Sequence, residues 1–573
     1  MYRNNEQHRQ IAFFSGLNEL PKKLQTRLEE SWAGAFYDQV FSRIDEDRFA
    51  VLYSEEPSRP NIPVNVLVSL EILKAGFGWS DQEMYENFCF DVQVRYAVGY
   101  RDLGAGHFDL RTMYNFRQRL ARHMQETGEN LFEQAFEQVT DEQLEAFGLR
   151  TDQQRMDSSQ IASNIRETTR LQLLVEVLQR VHRGLTEADQ ARLADEFAPY
   201  LKGSAGQYTY RIKGKDAYTK HLQQVGELMN RLVNELAVAY GKAPMYQTLV
   251  RVFNEHFSIS KAKTLRPKQG HELSASSLQS PDDVEATYRK KRGKDYVGYV
   301  LNVTETCHPD NDFQLITLLQ TEPNNTDDAQ MLVEALPRLT ERTDIDKMYT
   351  DGGYNSPDAD QVMRDEKVEQ VQTAIRGQQP AEGKFNLTDC NWELDPDTSQ
   401  PIAVTAPDGR RVEVEPARKP EHYKARFDRV PCPDQDADQE STPSPKPKTP
   451  PVLYFSQHQV DLALRRQRCA QMRNSDENPR AAVESTVGAV KRPLGNDKAP
   501  VRGKFRIGIT VIGSGLMLNL RRIWRYQVAE TRKARQTEQA IPQGSSFSPF
   551  LWHRIRVFLN QFRPCAHPIP IYA

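Results

Sequence analysis

A chain of 573 residues and 65.8 kDa, 38% hydrophobic and 27% charged, lies in the globular range and exceeds what one core usually serves, so two to four structural units are expected. Thirty glycines and 33 prolines are close to average, which excludes a collagen-like or wholly disordered chain. A formal charge of −3 excludes a uniformly basic nucleic-acid coat, so any DNA contact must come from local segregation of charge.

The N-terminus, Met1-Tyr2-Arg3-Asn4-Asn5-Glu6, lacks the apolar run of a signal peptide. The longest apolar stretch, Ile507 to Leu520, is glycine-interrupted and too short to span a bilayer. A soluble, cytoplasmic protein with no membrane association is expected. The cysteines (89, 307, 390, 432, 469, 565) show no Cys-x-x-Cys spacing, so neither a disulfide framework nor a zinc cluster is expected.

Residues 1–148 read as a helical, DNA-binding domain. Val66, Leu70 and Leu73 recur at helical spacing, and an amphipathic helix near Thr112 to His123 sets Met113, Phe116 and Leu120 on one face. Asn115, Arg119 and Arg122 fall on the opposite face, the layout that presents an amide and two guanidiniums to a DNA groove. A solvated helix face is the plainer alternative.

From Leu149 a strand-like run ends at Met156-Asp157-Ser158-Ser159, and a helical insertion follows over about 166–258. Val297, Tyr299, Leu301 and Val303 alternate as a strand after the basic turn Lys290-Lys291-Arg292-Gly293-Lys294, with a partner strand at Phe313 to Leu319. A helix over Asp327 to Leu336, stopped by Pro337, precedes the strand Lys347 to Thr350, which runs into Asp351; another strand spans Val368 to Ile375. The elements of 149–377 and 456–540 are read as one catalytic core, split by an insertion over 378–455 with short strands (Val412 to Val414, Val452 to Phe455) and a Pro-rich loop. A helix from Val460 to Met472 is followed by a second that begins at Asn478-Pro479, with a C-terminal tail over 541–573.

An acidic residue stands at three places in this order: Asp157 ending the first strand, Asp351 ending the fourth, and Glu484 on the late helix. In an α/β ribonuclease-H-like core, a mixed five-stranded sheet with helices, the first and fourth strands are neighbours and the late helix packs across them. Carboxylates there converge, and oxygen ligands of that kind suit Mg²⁺ or Mn²⁺. Two such ions about 3.5–4 Å apart activate an attacking oxygen and stabilise the leaving one in displacement at phosphorus. Arg480 and Lys491 lie four residues before and seven after Glu484, on one helix face. Two cations beside a carboxylate suit a site that holds metal and DNA phosphate together.

These residues resemble the DDE transposases of bacterial insertion sequences, in the clan marked by Tyr-x2-Arg-x3-Glu-x6-Lys. Arg480, Glu484 and Lys491 match that spacing, and the blocks Met156 to Ser159 and Tyr349 to Asn355 resemble those around the first and second Asp. The signature Tyr is replaced by Glu477. The resemblance implies a Mg²⁺-dependent enzyme, with two ions on Asp157, Asp351 and Glu484, that binds terminal inverted repeats, hydrolyses each end and transfers the freed 3′-hydroxyl to target DNA. It also implies Arg480 and Lys491 at the DNA end, a homodimer on paired ends, and an insertion that helps hold the end. The separations of 194 residues from Asp157 to Asp351 and 133 from Asp351 to Glu484 are long for a bare core and match the two insertions. From 485 to 540 twelve cations face three acids, with Trp524 and Tyr526 among them as DNA-packing or helix-packing aromatics. A catalytically inactive end-binding repressor and a host nuclease of the same fold remain the alternatives.

Overall fold

The computed structural model describes residues 2–9, 16–54, 56, 60–102, 104–261, 264–291, 293–372, 385–396, 398–427, 450–473, 479–495 and 498–540. They divide into two compact units: Met1–Thr151 with His308–Thr317 and the described chain from Gly515 onward, and Asp152–Cys307 with Leu318–Ser514.

The first unit is helical. Its central helix, Val64–Phe77, is buried on almost every side from Val64 to Leu73, as a helix that is apolar all round must be. Gly78, in the left-handed conformation at φ 74°, ends it, and a capping box on Ser80 and Glu83 starts the next helix, Asp81–Phe90. The amphipathic helix forms at Arg111–Thr127 with Met113, Phe116 and Leu120 buried, as its spacing predicts. Arg117 on its flank reaches Glu71 and Asp81, and Lys74 joins Asp81. Burial alone would raise the Asp81 carboxyl, but the hydrogen bonds and charges of Arg117 and Lys74 outweigh it and hold the pKa down at about 2.

The second unit is built on a mixed sheet. Its strands are β1 (Gln153–Ala162), β4 (Thr287–Lys291), β5 (Lys294–Thr306), β6 (Ile316–Pro323), β7 (Lys347–Thr350) and β8 (Glu369–Gln372); between β1 and β4 in the chain lies a small ribbon of β2 (Phe257–Ile259) and β3 (Leu265–Pro267). The order is β4-β5-β1-β7-β8, with β6 also paired to β5. β1 runs antiparallel to β5 and parallel to β7, and β8 is parallel to β7. This is the ribonuclease-H-like arrangement, with β4 as an addition: the basic turn joins β4 and β5 through the pair Lys291 and Lys294. Tyr299 to Val303 in β5 are buried on both faces, as befits a central strand. On one face Met156, Leu332, Leu336, Leu339, Met348 and Tyr354 form the core under the helices Asp328–Arg342 and Pro357–Asp365.

Several boundaries differ from the sequence reading. β1 continues past Asp157 to Ala162, because β5 supplies ladder partners as far as Gly298. The helix that Pro337 should stop runs on to Arg342, since Leu339 continues the buried stripe and its packing offsets the roughly 3 kcal/mol a helical proline costs. The strand expected from Phe313 starts at Ile316; Phe313 instead sits against Phe147 and Tyr526 within the first unit. Of the strand expected over Val368 to Ile375, Glu369–Gln372 is formed, and 373–375 lie outside the described residues.

The helical insertion folds around its own core, in which Leu171, Leu174 and Leu178 of the helix Arg170–Gly184 pack with Val225 and Met229 of Lys215–Glu235 and with Leu249 and Val252 of Pro244–His256. The second insertion carries more order than two short strands: β9 (Asn391–Leu394), β10 (Pro401–Thr405), β11 (Arg411–Pro416), β12 (His422–Arg426) and β13 (Val452–Ser456) form an antiparallel meander over Val404, Ala425 and Phe455. Most of its expected Pro-rich loop, 428–449, lies outside the described residues. The chain returns through the helices Gln457–Arg473, Ala481–Lys491 and Lys504–Ala540.

Candidate functional site

Alternation along β1 divides the side chains of its middle between two faces. Met156 enters the core and Ser158 donates to Asp328 Oδ1 at 2.8 Å, both on the side of the helix Asp328–Arg342. Arg155, Asp157 and Ser159 point the other way, and each is bonded to the segment around Glu484. Arg155 donates to the Pro479 carbonyl, Arg480 Nη2 lies 3.2 Å from Asp157 Oδ1, and Lys491 Nζ donates to Ser159 Oγ at 2.8 Å. The late helix is therefore bonded to every second residue of the strand that carries the first acid. Both serines are thus tied down through their side chains, Ser158 to Asp328 and Ser159 to Lys491.

Arg480 also approaches Glu484 Oε1 at 3.7 Å, so one guanidinium bridges the first and third acidic residues. The second acid arrives through sheet register. β7 pairs Tyr349 with Arg155, and two further residues along each strand set Asp351 beside Asp157. Asp351 accepts the Gly353 amide at 2.7 Å, which fixes the turn Gly352–Tyr354. Tyr354 is fully buried and donates its hydroxyl to Asn302 at 2.7 Å. Burial raises the Asp157 carboxyl above the ordinary aspartate range, Arg480 opposes the rise and the Asp351 charge adds to it.

Glu305 and Thr486 were not singled out by sequence reasoning. The Glu305 carboxylate is fully buried; it takes Arg155 Nε at 2.7 Å on Oε1 and the Thr486 hydroxyl at 2.8 Å on Oε2. It thus ties β1 and β5 to the helix that carries Glu484. The available signal was the basic residue two before Asp157, on the same face of the strand.

Among the described residues no group of three or more His, Cys, Asp or Glu side chains is placed to hold a metal ion. The donor types nevertheless fit a hard divalent cation. Asp157 is desolvated beside a second carboxylate, Glu484 is two-thirds exposed, and the positive charge between Asp157 and Glu484 is at present that of Arg480. Glu477 and Asn478 lie outside the described residues; the helix is described from Ala481, with Arg480 at its cap position. Lys491 is buried, whereas a DNA contact would be expected at the surface.

Of the other expected DNA-contact residues, Arg119 and Arg122 are exposed on the helix Arg111–Thr127. The Arg119 guanidinium lies over the Tyr53 ring at 4.9 Å and, with Asn115, Thr112 and His107, lines a cleft of about 470 Å³. The basic C-terminal run is largely engaged within its own unit. Arg521 donates to the Gly76 carbonyl, Arg522 to that of Gln314, and Arg535 pairs with Glu30. Trp524 donates to the Glu30 carbonyl, and Tyr526 packs edge-on against Phe147 and at a tilt against Phe313, so both are engaged in packing. Cys307 and Cys390 are free, buried thiols pushed up to about 12 by burial. No described helix is long and apolar enough to cross a membrane.

The sheet order and its flanking helices define a ribonuclease-H-like core with a helical N-terminal region. Residues 26–119 match the family model of a transposase domain (DUF772), a span that runs from within the helix Lys22–Glu29 to Arg119 and implies a transposase role. No curated protein and no solved structure matches the chain.

Proposed function

We propose that this protein is a DNA transposase of the DDE type, cutting and joining strands at the ends of an insertion sequence. The observation that carries the reading is the pairing of Asp157 with Arg480 across 323 residues of chain, with Glu484 on the same guanidinium and Asp351 alongside by register. Three carboxylates from two adjacent strands and a helix have no evident structural use in common, while they suit a site that handles phosphodiesters.

Asp157, Asp351 and Glu484 would hold Mg²⁺ or Mn²⁺. When bound, the metal supplies Lewis-acid activation of the attacking oxygen and stabilisation of the leaving one. Asp157 and Asp351 are fixed by strand register and by the Gly353 amide, so their oxygens need little reorganisation. Glu484 is two-thirds exposed and would complete the ligand set by turning from Arg480 toward the two aspartates. The guanidinium is then available to a phosphate of the DNA end. Lys491, held on Ser159, anchors the helix along β1, beside the end contact that the resemblance implies. Arg119 and Arg122 serve recognition of the terminal repeats, and paired ends require two copies of the chain.

The test is cleavage of a labelled fragment carrying the DNA that flanks the gene, with and without Mg²⁺, by the wild-type chain and Asp351→Ala. Metal-dependent nicks at the flanking repeats, lost in the variant while a mobility shift persists, are expected. Cleavage retained by Asp351→Ala would overturn the site. Binding without cleavage under Mg²⁺ or Mn²⁺ would favour an end-binding repressor, the second reading that the Arg480 bridge between two acids supports.

A further inference from the structure

We infer that the helical insertion carries a second DNA-contact surface, built from residues 202–220, that grips the phosphate backbone of duplex DNA. The inference rests on the transposase reading and adds a surface that the catalytic residues do not include.

Charge in this insertion is sorted into two kinds. Most arginines on its body are neutralised: Arg180 pairs with Asp282, Arg192 with Asp189 and Glu235, Arg231 with Glu196, and Arg266 with Glu272. Around the turn before the helix Lys215–Glu235 the pattern reverses. Lys202, Arg211, Lys213, Lys215 and Lys220 are all exposed, and among the described residues no ion pair reaches any of them. Asp216 is the single acid between Lys202 and Lys220. Tyr210 stands 77% exposed among them, with Lys213 Nζ over its ring at 4.3 Å. Tyr210 thus offers an aromatic face and a hydroxyl beside a cluster of cations, a combination that suits a nucleic-acid strand.

The turn itself enforces the arrangement. Gly214, at φ 86° where a side chain would be strained, bends the chain into the helix between Lys213 and Lys215. Lys215 opens a 21-residue helix, the end at which the helix dipole disfavours a cation and favours a phosphate. Lysines and an arginine on a short turn, with a tyrosine hydroxyl among them, match the side chains that contact DNA phosphates without reading bases. Beneath the surface, Tyr208 bonds His221 at 2.8 Å and Ala205 enters the core, so the patch rests on a fixed support.

The experiment measures binding of the full chain to a labelled duplex of flanking DNA by fluorescence anisotropy, in EDTA to prevent cleavage, from 50 to 200 mM NaCl. Each phosphate contact contributes about 0.9 to the slope of log affinity against log salt. The triple variant Arg211→Ala, Lys213→Ala, Lys215→Ala should flatten that slope by roughly 2–3, and Lys215→Ala alone by about 0.9. The charge-matched control Arg192→Ala, Arg231→Ala, Arg266→Ala should leave it unchanged. An unchanged slope in the triple variant, or equal flattening in the control, would overturn the surface while leaving the transposase reading standing. Failure of the wild-type chain to bind any duplex at the lowest salt would instead overturn that reading.

Discussion

Replacing Glu305 with alanine should release the helix that carries Glu484 from the sheet. The carboxylate is fully buried and holds two partners, Arg155 on one oxygen and the Thr486 hydroxyl on the other. Its removal leaves the Arg155 guanidinium, itself only 10% exposed, without a counter-charge. Breaking a buried pair in that way costs about 3–5 kcal/mol. A loss of that size is a large part of the 5–15 kcal/mol that typically holds a domain together. Urea unfolding, with hydrogen exchange of the amides in Ala481–Lys491, reads the effect, and cleavage should fall in proportion to lost helix protection. The double variant Arg155→Met, Glu305→Leu removes charge and counter-charge together and should recover most of the stability. A cost below about 1 kcal/mol for Glu305→Ala, or a double variant no better than the single, would refute the argument.

Gly298→Ala should destabilise the sheet by at least about 2 kcal/mol, seen as a lower melting temperature, because a Cβ there would lie 2.3 Å from the Ile161 carbonyl oxygen and 2.5 Å from the Ser163 nitrogen, at a φ of +148°. His256 is held at about 4 by burial and then by the charges of Arg170 and Lys268. Its unfolded form takes up a proton near 6.5, so stability is full above that pH and falls toward 4, by on the order of 3 kcal/mol; His256→Gln, followed by unfolding at pH 7 and 5, should flatten the dependence. Asp81 acts in the same sense over a more acid window: its lowered pKa stabilises the first unit above about 3.8, and that contribution of roughly 2 kcal/mol is lost as pH falls toward 2, an acid limb that Asp81→Asn should remove.

The order of elements and the positions of Asp351 and Glu484 were legible because hydrophobic period and turn residues are local signals. Val64–Phe77, Arg111–Thr127 and Lys347–Thr350 form where their spacing says. What the sequence hid depends on partners far along the chain. Whether β1 stops at Asp157 is decided by β5, whether Pro337 ends a helix is decided by the pocket that receives Leu339, and whether Lys491 faces water is decided by Ser159. The five-stranded meander was hardest to foresee, since short strands with a weak alternation gain their identity from each other. Arg480 was read as a DNA contact from its spacing; its bond to Asp157 depends on the packing of a helix 323 residues away.

The same bond fixes when the proposed site can assemble during synthesis. Asp157 leaves the ribosome 327 residues before Glu484, an interval of roughly 16–65 s at ordinary elongation rates. Until then β1 and β7 can pair and the helical insertion can collapse on its own core, yet the strand face bearing Asp157 has nothing to pack against. A nascent chain, or one cut short before residue 480, is thus unable to assemble the proposed cutting site, and it also lacks the segment from Gly515 onward that belongs to the helical first unit.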